Sequence, residues 1–456
     1  MKIVIIGDGK VGNTLTQELT REGHDLMVID SRKDVLAQAE ERMDVMVMQG
    51  NGASVDLQRQ AGVPTCDLMI AVTSADEVNL MCCMIARKLG CMHTIARSRN
   101  PEYEEALYLL RDDLGLSLTV NPEKSAAREI FGLMQFPSFL KRDAFAKGRA
   151  EIVSIPVRAG SKLDGVPLTA LYKSLRVRAL VCAVERGDDV IIPDGNFVLR
   201  EGDHAYVTAP TQALLTLVKV LALEAFRIRS VMIVGGSRIA FYLTQLLVDA
   251  GIKVKLLENN MQRCNKLSEE LPSATVVYGD GTSFQTLMEE GLEETDALVA
   301  LTNIDEQNLI VSMFANQKHV PKVVTKINRA EYEEILRKTG MECVITPRLL
   351  IVSDILRYVR AMENRQGDNV LALHRMVGGR VEALEFRVKA GTGFKGVPLK
   401  NIPLKPNFLV AIINHRGTVF VPGGADCFYE GDTVVLVTAE GRGVNSLNDI
   451  FQSENK

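Results

Sequence analysis

Gly7, Gly9 and Gly12 follow the apolar run Ile3–Ile6 and open a segment with helical spacing. That arrangement suits a pyrophosphate. The first glycine permits a tight turn, the second lets backbone approach the phosphates, and the third allows close packing of the helix. The phosphates then rest on the positive end of a helix starting near Lys10. An acid, Asp30, ends the second apolar run, at about the distance beyond the loop that a dinucleotide fingerprint requires. Its carboxylate is placed to accept hydrogen bonds from the adenosine ribose hydroxyls and to repel a 2′-phosphate, so NAD is favoured over NADP.

A second, altered version begins at Gly235. Ser237 stands where the second glycine would be and Ala240 where the third would be, while Gly235 and Glu258 remain. Alanine is tolerable at the third position. The Ser237 side chain crowds the closest phosphate approach, and Arg238 can compensate as a cation. This copy is expected to take an adenine nucleotide with altered affinity or preference, the alternative being an empty structural copy. Further candidates sit where strands end, the edge at which open α/β sheets place ligands. Thr73 and Ser74 follow the fourth strand and Arg97 ends the fifth, with Thr302, Asn303 and Lys326 as counterparts. A cation at both 97 and 326 suggests a phosphate contact, and a surface ion pair with the acidic run Glu102–Glu105 is the alternative. Asp76 with Asn79, and Asp305 with Asn308, are expected to cap and support the helix that follows them.

These residues are positioned by a chain that repeats itself. Ile3–Gly12 matches Val231–Ala240, and Asp30 matches Glu258, both at an offset of 228. Gly50-Asn51-Gly52 matches Gly279-Asp280-Gly281, and the stretch Thr73–Asn79 matches Thr302–Asn308, both at 229. Val166-Pro167-Leu168 recurs as Val397-Pro398-Leu399, and Glu201-Gly202-Asp203 as Glu430-Gly431-Asp432. The chain is two copies of one unit, each taking up half of its length.

Each unit has two parts. The first alternates short apolar runs (Ile3–Ile6, Leu26–Ile29, Val45–Met48, Leu68–Val72, Thr94–Ala96) with amphipathic helical segments, the pattern of a buried parallel sheet. The second part has short alternating strands broken by turns such as Pro193-Asp194-Gly195, the pattern of a small hairpin-based domain. The predicted fold class is α/β, with two doubly wound Rossmann-like domains, each followed by a small α+β domain. Predicted boundaries are 1–122, joining helices over 123–147, 148–222, 229–347, a joining helix over 348–366, and 368–452. Pro137 is expected to bend the first joining segment.

Composition narrows the function. In 456 residues, 53 basic side chains against 57 acidic give a net charge of −4, so there is no basic excess to coat nucleic-acid phosphates. No apolar run reaches the ~18 residues needed to span a bilayer. The N-terminus enters the glycine loop directly, unlike a signal peptide, and a soluble, cytoplasmic protein is expected. The eight cysteines contain no CxxC pair and are read as small buried hydrophobes. The six histidines have no partner at metal-ligand spacing. A dehydrogenase would need a proton-handling group beside the nicotinamide, supplied by a catalytic domain. Here only a small hairpin domain follows each Rossmann unit, so the expected role is sensing rather than catalysis.

The whole chain resembles tandem RCK domains (regulators of K+ conductance), in particular the cytoplasmic regulatory subunits of bacterial Trk potassium uptake systems. The resemblance is carried by G-D-G-K-V at 7–11, V-T-S-x-D-E-x-N at 72–79, I-A-R at 95–97 and V-G-G at 234–236. It implies a non-enzymatic gating subunit, peripheral on the inner face of the membrane, with a TrkH-like or TrkG-like K+-translocating partner. It also implies a homo-oligomeric ring, expected to be a tetramer, controlled by NAD(H) at the first site and by NAD(H), ATP or ADP at the second. By position the first site gains Asp8, Lys10, Val11, Asn51, Thr73, Ser74 and Arg97. The second comprises Gly235, Gly236, Ser237, Arg238, Ile239, Glu258, Asp280, Thr302 and Lys326. A regulator of another cation channel or exporter, and an NAD-dependent oxidoreductase, are the alternatives.

Overall fold

The computed structural model describes residues 1–137, 139–145, 149–175, 178–187, 189–221, 227–329, 332, 336, 341, 343–366, 370–376, 380–439, 444 and 446–452. The chain divides into two compact units. The first holds Met1–Arg128 together with Ile327–Ala330 and Ile345–Tyr358, and the second holds the remainder.

The first Rossmann sheet contains β1 (Lys2–Ile6), β2 (Asp25–Asp30), β3 (Met46–Gln49), β4 (Leu68–Ala71), β5 (Thr94–Arg97) and β6 (Leu118–Val120). Their order is β3-β2-β1-β4-β5-β6, and every pairing is parallel. Ile3 lies between Leu26 and Leu68. Ile3, Val4, Ile5 and Ile6 are all buried, as expected for a central strand covered by helices on both faces. Burying each such side chain contributes ~1.5–3 kcal/mol, which is why a continuous apolar run settles here. The covering helices are α1 (Lys10–Arg21), α2 (Lys33–Arg42), α3 (Val55–Gln60), α4 (Asp76–Leu89) and α5 (Glu104–Leu110). Leu15 and Leu19 are the fully buried leucines of α1, one turn apart on the face that packs inward.

The expected joining helices over 123–147 are only partly present. Helix α6 (Pro122–Gln135) ends before Pro137, and Lys141–Phe145 forms strand β7. Pro137 therefore lies beyond the helix and bends nothing. Strand β7 pairs antiparallel with β8 (Ala150–Pro156), so the small domain starts earlier than the turn pattern indicates. Its other elements are α7 (Leu168–Leu175), β9 (Leu180–Arg186), β10 (Asp189–Ile191), β11 (His204–Pro210) and α8 (Thr211–Val220), with sheet order β10-β9-β11-β8-β7.

The second copy repeats this plan. Strands β12 (Ser230–Val234), β13 (Lys253–Glu258), β14 (Thr275–Tyr278), β15 (Ala297–Ala300), β16 (Lys322–Lys326) and β17 (Val344–Ile345) are ordered β14-β13-β12-β15-β16-β17. Helices α9 (Arg238–Asp249), α10 (Met261–Glu270), α11 (Phe284–Glu289) and α12 (Asp305–Gln317) connect them. Helix α13 (Pro347–Gln366) occupies the expected joining position. The last small domain contains β18 (Val370–Met376), β19 (Val381–Arg387), β20 (Phe408–His415), β21 (Thr418–Phe420) and β22 (Thr433–Thr438), ordered β18-β19-β22-β20-β21.

The two small domains share one apolar core. Ile152, Cys182, Ala183 and Tyr206 of the first pack with Val381, Ala411, Ile412 and Val435 of the second. Arg149 donates to the Gly417 carbonyl at 2.7 Å, and Arg380 to Glu185 at 2.9 Å. Among the described residues, no helix is long and apolar enough to cross a membrane.

Candidate nucleotide-binding sites

The first glycine loop joins the carboxyl end of β1 to α1. Gly7 has φ +95°, and a Cβ there would stand 2.9 Å from the Thr73 backbone, so both its conformation and its neighbour demand glycine. A Cβ on Gly12 would stand 1.9 Å from the Gly7 carbonyl oxygen. Gly9 differs, since its nearest neighbour would be an Arg32 guanidinium nitrogen at 4.0 Å. The loop surface at Gly9 is therefore open. Gly9 is also the N-cap of α1, and no side chain caps that helix. Its first-turn N–H groups are left to face an anion.

Asp30 ends β2 beside this loop. One carboxylate oxygen accepts the Asp8 backbone N–H at 2.8 Å, and the other accepts the Arg32 backbone N–H at 2.9 Å. A carboxylate has about four acceptor positions, so capacity remains for ribose hydroxyls. The Arg32 side chain reaches the same carboxylate at 3.5 Å while staying largely exposed. Arg32 is absent from the sequence-based set. Its one signal in the sequence is its place two positions after the acid, in the turn that faces the glycine loop.

The Asp8 side chain turns inward, away from the loop surface. Its carboxylate is 2% exposed and accepts from Thr16 at 3.1 Å and from Asn13 at 3.4 Å. Burial raises its pKa, opposed by the hydrogen bonds from Asn13 and Thr16. Lys10 is exposed at the start of α1 and Val11 is buried beneath it. Asn51 is exposed and bonds the Ala53 N–H at 3.0 Å, closing the turn after β3.

Asn79 joins two strand ends. Its Oδ1 accepts the Thr73 N–H at 2.8 Å and the Thr73 hydroxyl at 2.7 Å. Its amide nitrogen donates to the Arg97 carbonyl at 2.9 Å and the Thr73 carbonyl at 3.2 Å. The second copy repeats the clamp: Asn308 accepts the Thr302 N–H at 2.8 Å and donates to the Thr302 and Lys326 carbonyls at 3.1 and 3.0 Å. The expected capping role is thus corrected. Helix α4 has no side-chain cap, Asn79 clamps β4 to β5, and Asp76 accepts the Arg99 and Asn100 N–H groups at 2.7 and 2.8 Å. Ser74 is exposed at the rim and Arg97 is half-buried at the end of β5. Lys326 is 6% exposed and donates to the Thr302 carbonyl at 2.9 Å, so this ammonium braces the loop. Within the acidic run Glu102–Glu105, Glu104 pairs with Lys124.

In the second copy Gly235 has φ +99° and lies against Thr302 as Gly7 lies against Thr73. The Gly236 N–H donates to Glu258 at 2.7 Å, and the other Glu258 oxygen accepts the Asn260 N–H at 2.8 Å. Arg263 donates to the Gly236 carbonyl at 2.9 Å. Ser237 caps α9, its hydroxyl accepting the Ala240 N–H at 3.3 Å. The serine therefore takes up an N–H that Gly9 leaves open in the first copy. Arg238 is exposed, Ile239 buried, and the exposed Asp280 bonds both the N–H and the hydroxyl of Thr282.

Comparison with known proteins agrees with this architecture. The family model of the TrkA-N domain matches residues 3–122 and 231–347, and that of the TrkA-C domain matches residues 152–222. The Trk system potassium uptake protein TrkA homolog 2 of Methanosarcina mazei is 30% identical over 460 residues, covering 99% of this chain and 100% of that protein. The Trk system potassium uptake protein TrkA of Halomonas elongata is 31% identical over 457 residues, covering 99% of each. Among solved structures, the GsuK RCK domain superposes with a TM-score of 0.63 at 19% identity, covering 96% of this chain and 92% of that one. The GsuK channel bound to NAD gives 0.62 at 19% identity, covering 96% and 76%. The chain, a tandem pair of Rossmann-like and RCK-type domains, belongs to the TrkA family.

Proposed function

We propose that this chain is the nucleotide-sensing regulatory subunit of a Trk-type potassium uptake system. The observation that carries the reading is the first glycine loop, where an uncapped helix start, the open surface at Gly9 and the Asp30 carboxylate lie together. NAD(H) suits that set: the α1 N–H groups hold the pyrophosphate and Asp30 accepts the ribose hydroxyls. In this reading the loop from Gly7 to Gly12 holds the phosphates, with Asn51, Thr73, Ser74 and Arg97 beside it at the strand ends. The second site takes NAD(H), ATP or ADP between Gly235–Ile239, Glu258, Asp280 and Thr302, with Lys326 bracing the Thr302 loop from behind and with weaker phosphate binding because Ser237 caps its own helix.

The chain acts by binding and not by turnover. It works at the inner face of the membrane on a TrkH-like or TrkG-like potassium-translocating subunit. Copies of the chain assemble into a ring, a tetramer in this reading. Exposed apolar side chains support assembly, because Met81 and Met84 on α4 have repeat counterparts in Ile310 and Met313 on α12, which are exposed as well. A nucleotide shifts such an assembly only through its different affinity for two arrangements of it.

The test is calorimetric titration with NADH, NAD+, ATP and ADP, on the protein and on Asp30→Ala and Glu258→Ala, alongside potassium uptake by cells carrying each variant. Two binding events, each removed by one substitution and each altering uptake, support the reading. Absence of any nucleotide binding, or unchanged control of uptake in Asp30→Ala, refutes it. Oxidation of NADH with a small carbonyl substrate would instead indicate an oxidoreductase.

A further inference from the structure

Cys66 and Cys91 are far apart in sequence and in contact in the fold, with their sulfurs at 3.4 Å. Cys66 sits in the short approach to β4, and Cys91 follows the end of α4. Cys91 is fully buried, whereas Cys66 retains 8% exposure. Their thiols form a directed chain: the Cys66 S–H donates to the Cys91 sulfur, and the Cys91 S–H donates to the His93 carbonyl at 3.1 Å. The His93 ring in turn meets the Tyr358 hydroxyl of α13 at 3.1 Å.

We propose that Cys66 and Cys91 form a reversible dithiol switch that closes to a disulfide under a peroxide and is read out by α13 through His93 and Tyr358. A disulfide needs its sulfurs about 2.05 Å apart, so closure requires the two segments to approach by little more than about 1 Å. The chemistry proceeds in two steps. Peroxide enters at Cys66, buried but for 8% exposure, and its sulfur is oxidised to the sulfenic acid with release of one water. The Cys91 sulfur then attacks that sulfur, the S–S bond forms, the S–O bond breaks, and the departing hydroxyl leaves as a second water with the Cys91 proton. In total the two sulfurs lose two electrons to one hydrogen peroxide.

The order of attack follows from the environment. The hydrogen bond from Cys66 favours the Cys91 thiolate and lowers its pKa, against burial. Donating that bond, together with burial, raises the pKa of Cys66. Access favours Cys66 as the first sulfur oxidised, its raised pKa makes that step slow, and Cys91, with the more readily formed thiolate, is the better resolving nucleophile. Closure removes both S–H donors, so the His93 carbonyl keeps the Met69 N–H at 3.0 Å but loses its bond from Cys91, and the shift of Cys91 is passed to the His93–Tyr358 contact two residues on. Cys66 and Cys91 are buried like Cys82, Cys83, Cys182, Cys264 and Cys343, while Cys427 is partly exposed, so it is the contact between the Cys66 and Cys91 sulfurs that carries the pairing.

The test uses the full-length reduced protein treated with hydrogen peroxide, then alkylated under native conditions and digested without reductant. The expected result is a loss of about 2 Da per closed pair, from the two hydrogens removed. A linked peptide containing Cys66 and Cys91 should appear and be reversed by dithiothreitol. Oxidation should also raise hydrogen exchange in 347–358 in the native protein and not in Cys66→Ser. Oxygen added at Cys427 alone, with Cys66 and Cys91 recovered as thiols after denaturation, overturns the switch. A linked peptide with exchange in 347–358 unchanged overturns the readout. Because the native protein carries the main measurement, poor folding of a cysteine variant leaves the test intact.

Discussion

Gly12 packs so closely on Gly7 that a Cβ at position 12 would stand 1.9 Å from the Gly7 carbonyl oxygen. Backbone has to move if that Cβ is added. Gly12→Ala should therefore cost about 1–3 kcal/mol of stability, read from urea unfolding. It should also weaken NADH binding in calorimetry, since the displaced loop carries the N–H groups proposed to face the phosphates. Gly12→Ala with native stability and native NADH affinity would contradict this.

Gly9 is the opposite case. A side chain there meets only the Arg32 guanidinium at 4.0 Å, so Gly9→Ser should leave stability within about 0.5 kcal/mol. The same serine should cap α1 as Ser237 caps α9 and compete with phosphate. A loss of roughly tenfold in NADH affinity is expected, about 1.4 kcal/mol. In the second copy, Ser237→Gly should move affinity the other way. Titrations of the two variants give the answer together.

What can be read from sequence is whatever repeats along the chain. Strand ends, the glycine loop, Asp30 and Glu258 recur at nearly constant offsets, and the structure puts them at matching places. Side-chain direction leaves no such trace. Asp8 reads as a ligand residue but turns its carboxylate into the domain, toward Thr16 and Asn13. Lys326 reads as a phosphate cation but braces the Thr302 carbonyl. Strand β6 is three residues long and only partly buried, too short for a periodic signal. Pro137 misleads because a proline just past a helix end looks, in sequence, like one that bends it.

The Asn79 clamp should be structural in both copies. Replacing Asn79 with alanine strands the Thr73 N–H and the Arg97 carbonyl, each in a crowded strand end. The expected loss is about 1–3 kcal/mol, and Asn308→Ala should match it. Thermal unfolding with and without NADH distinguishes the two, because only Asn79→Ala should also shrink the NADH-induced stabilisation at the first site.

Asp203 gives a pH-dependent stability term. Burial opposes its ionisation, yet the hydrogen bonds from Arg186 at 2.7 and 2.8 Å and from the Arg200 N–H prevail and hold its carboxyl below the ordinary 3.8. A depressed folded value means the contribution is fully present above the unfolded pKa of about 3.9 and is lost as pH falls through the folded one. Asp203→Asn should cost about 1–3 kcal/mol at pH 7, since Arg186 and the Arg200 N–H lose their anion. Urea unfolding at pH 7 and near pH 3 should show that gap narrowing in acid. An equal gap at both values would count against the ion pair as its source.

The shared core of the small domains brings together residues that are one another's repeat counterparts: Ile152 and Val381, Cys182 and Ala411, Tyr206 and Val435. Were the two halves separate chains, that contact would depend on their concentration and would fall apart on dilution. Joined in one chain, each half meets the other at an effective concentration fixed by the tether. This contact therefore persists at any copy number of the protein in the cell, and only contacts between chains remain open to control by mass action.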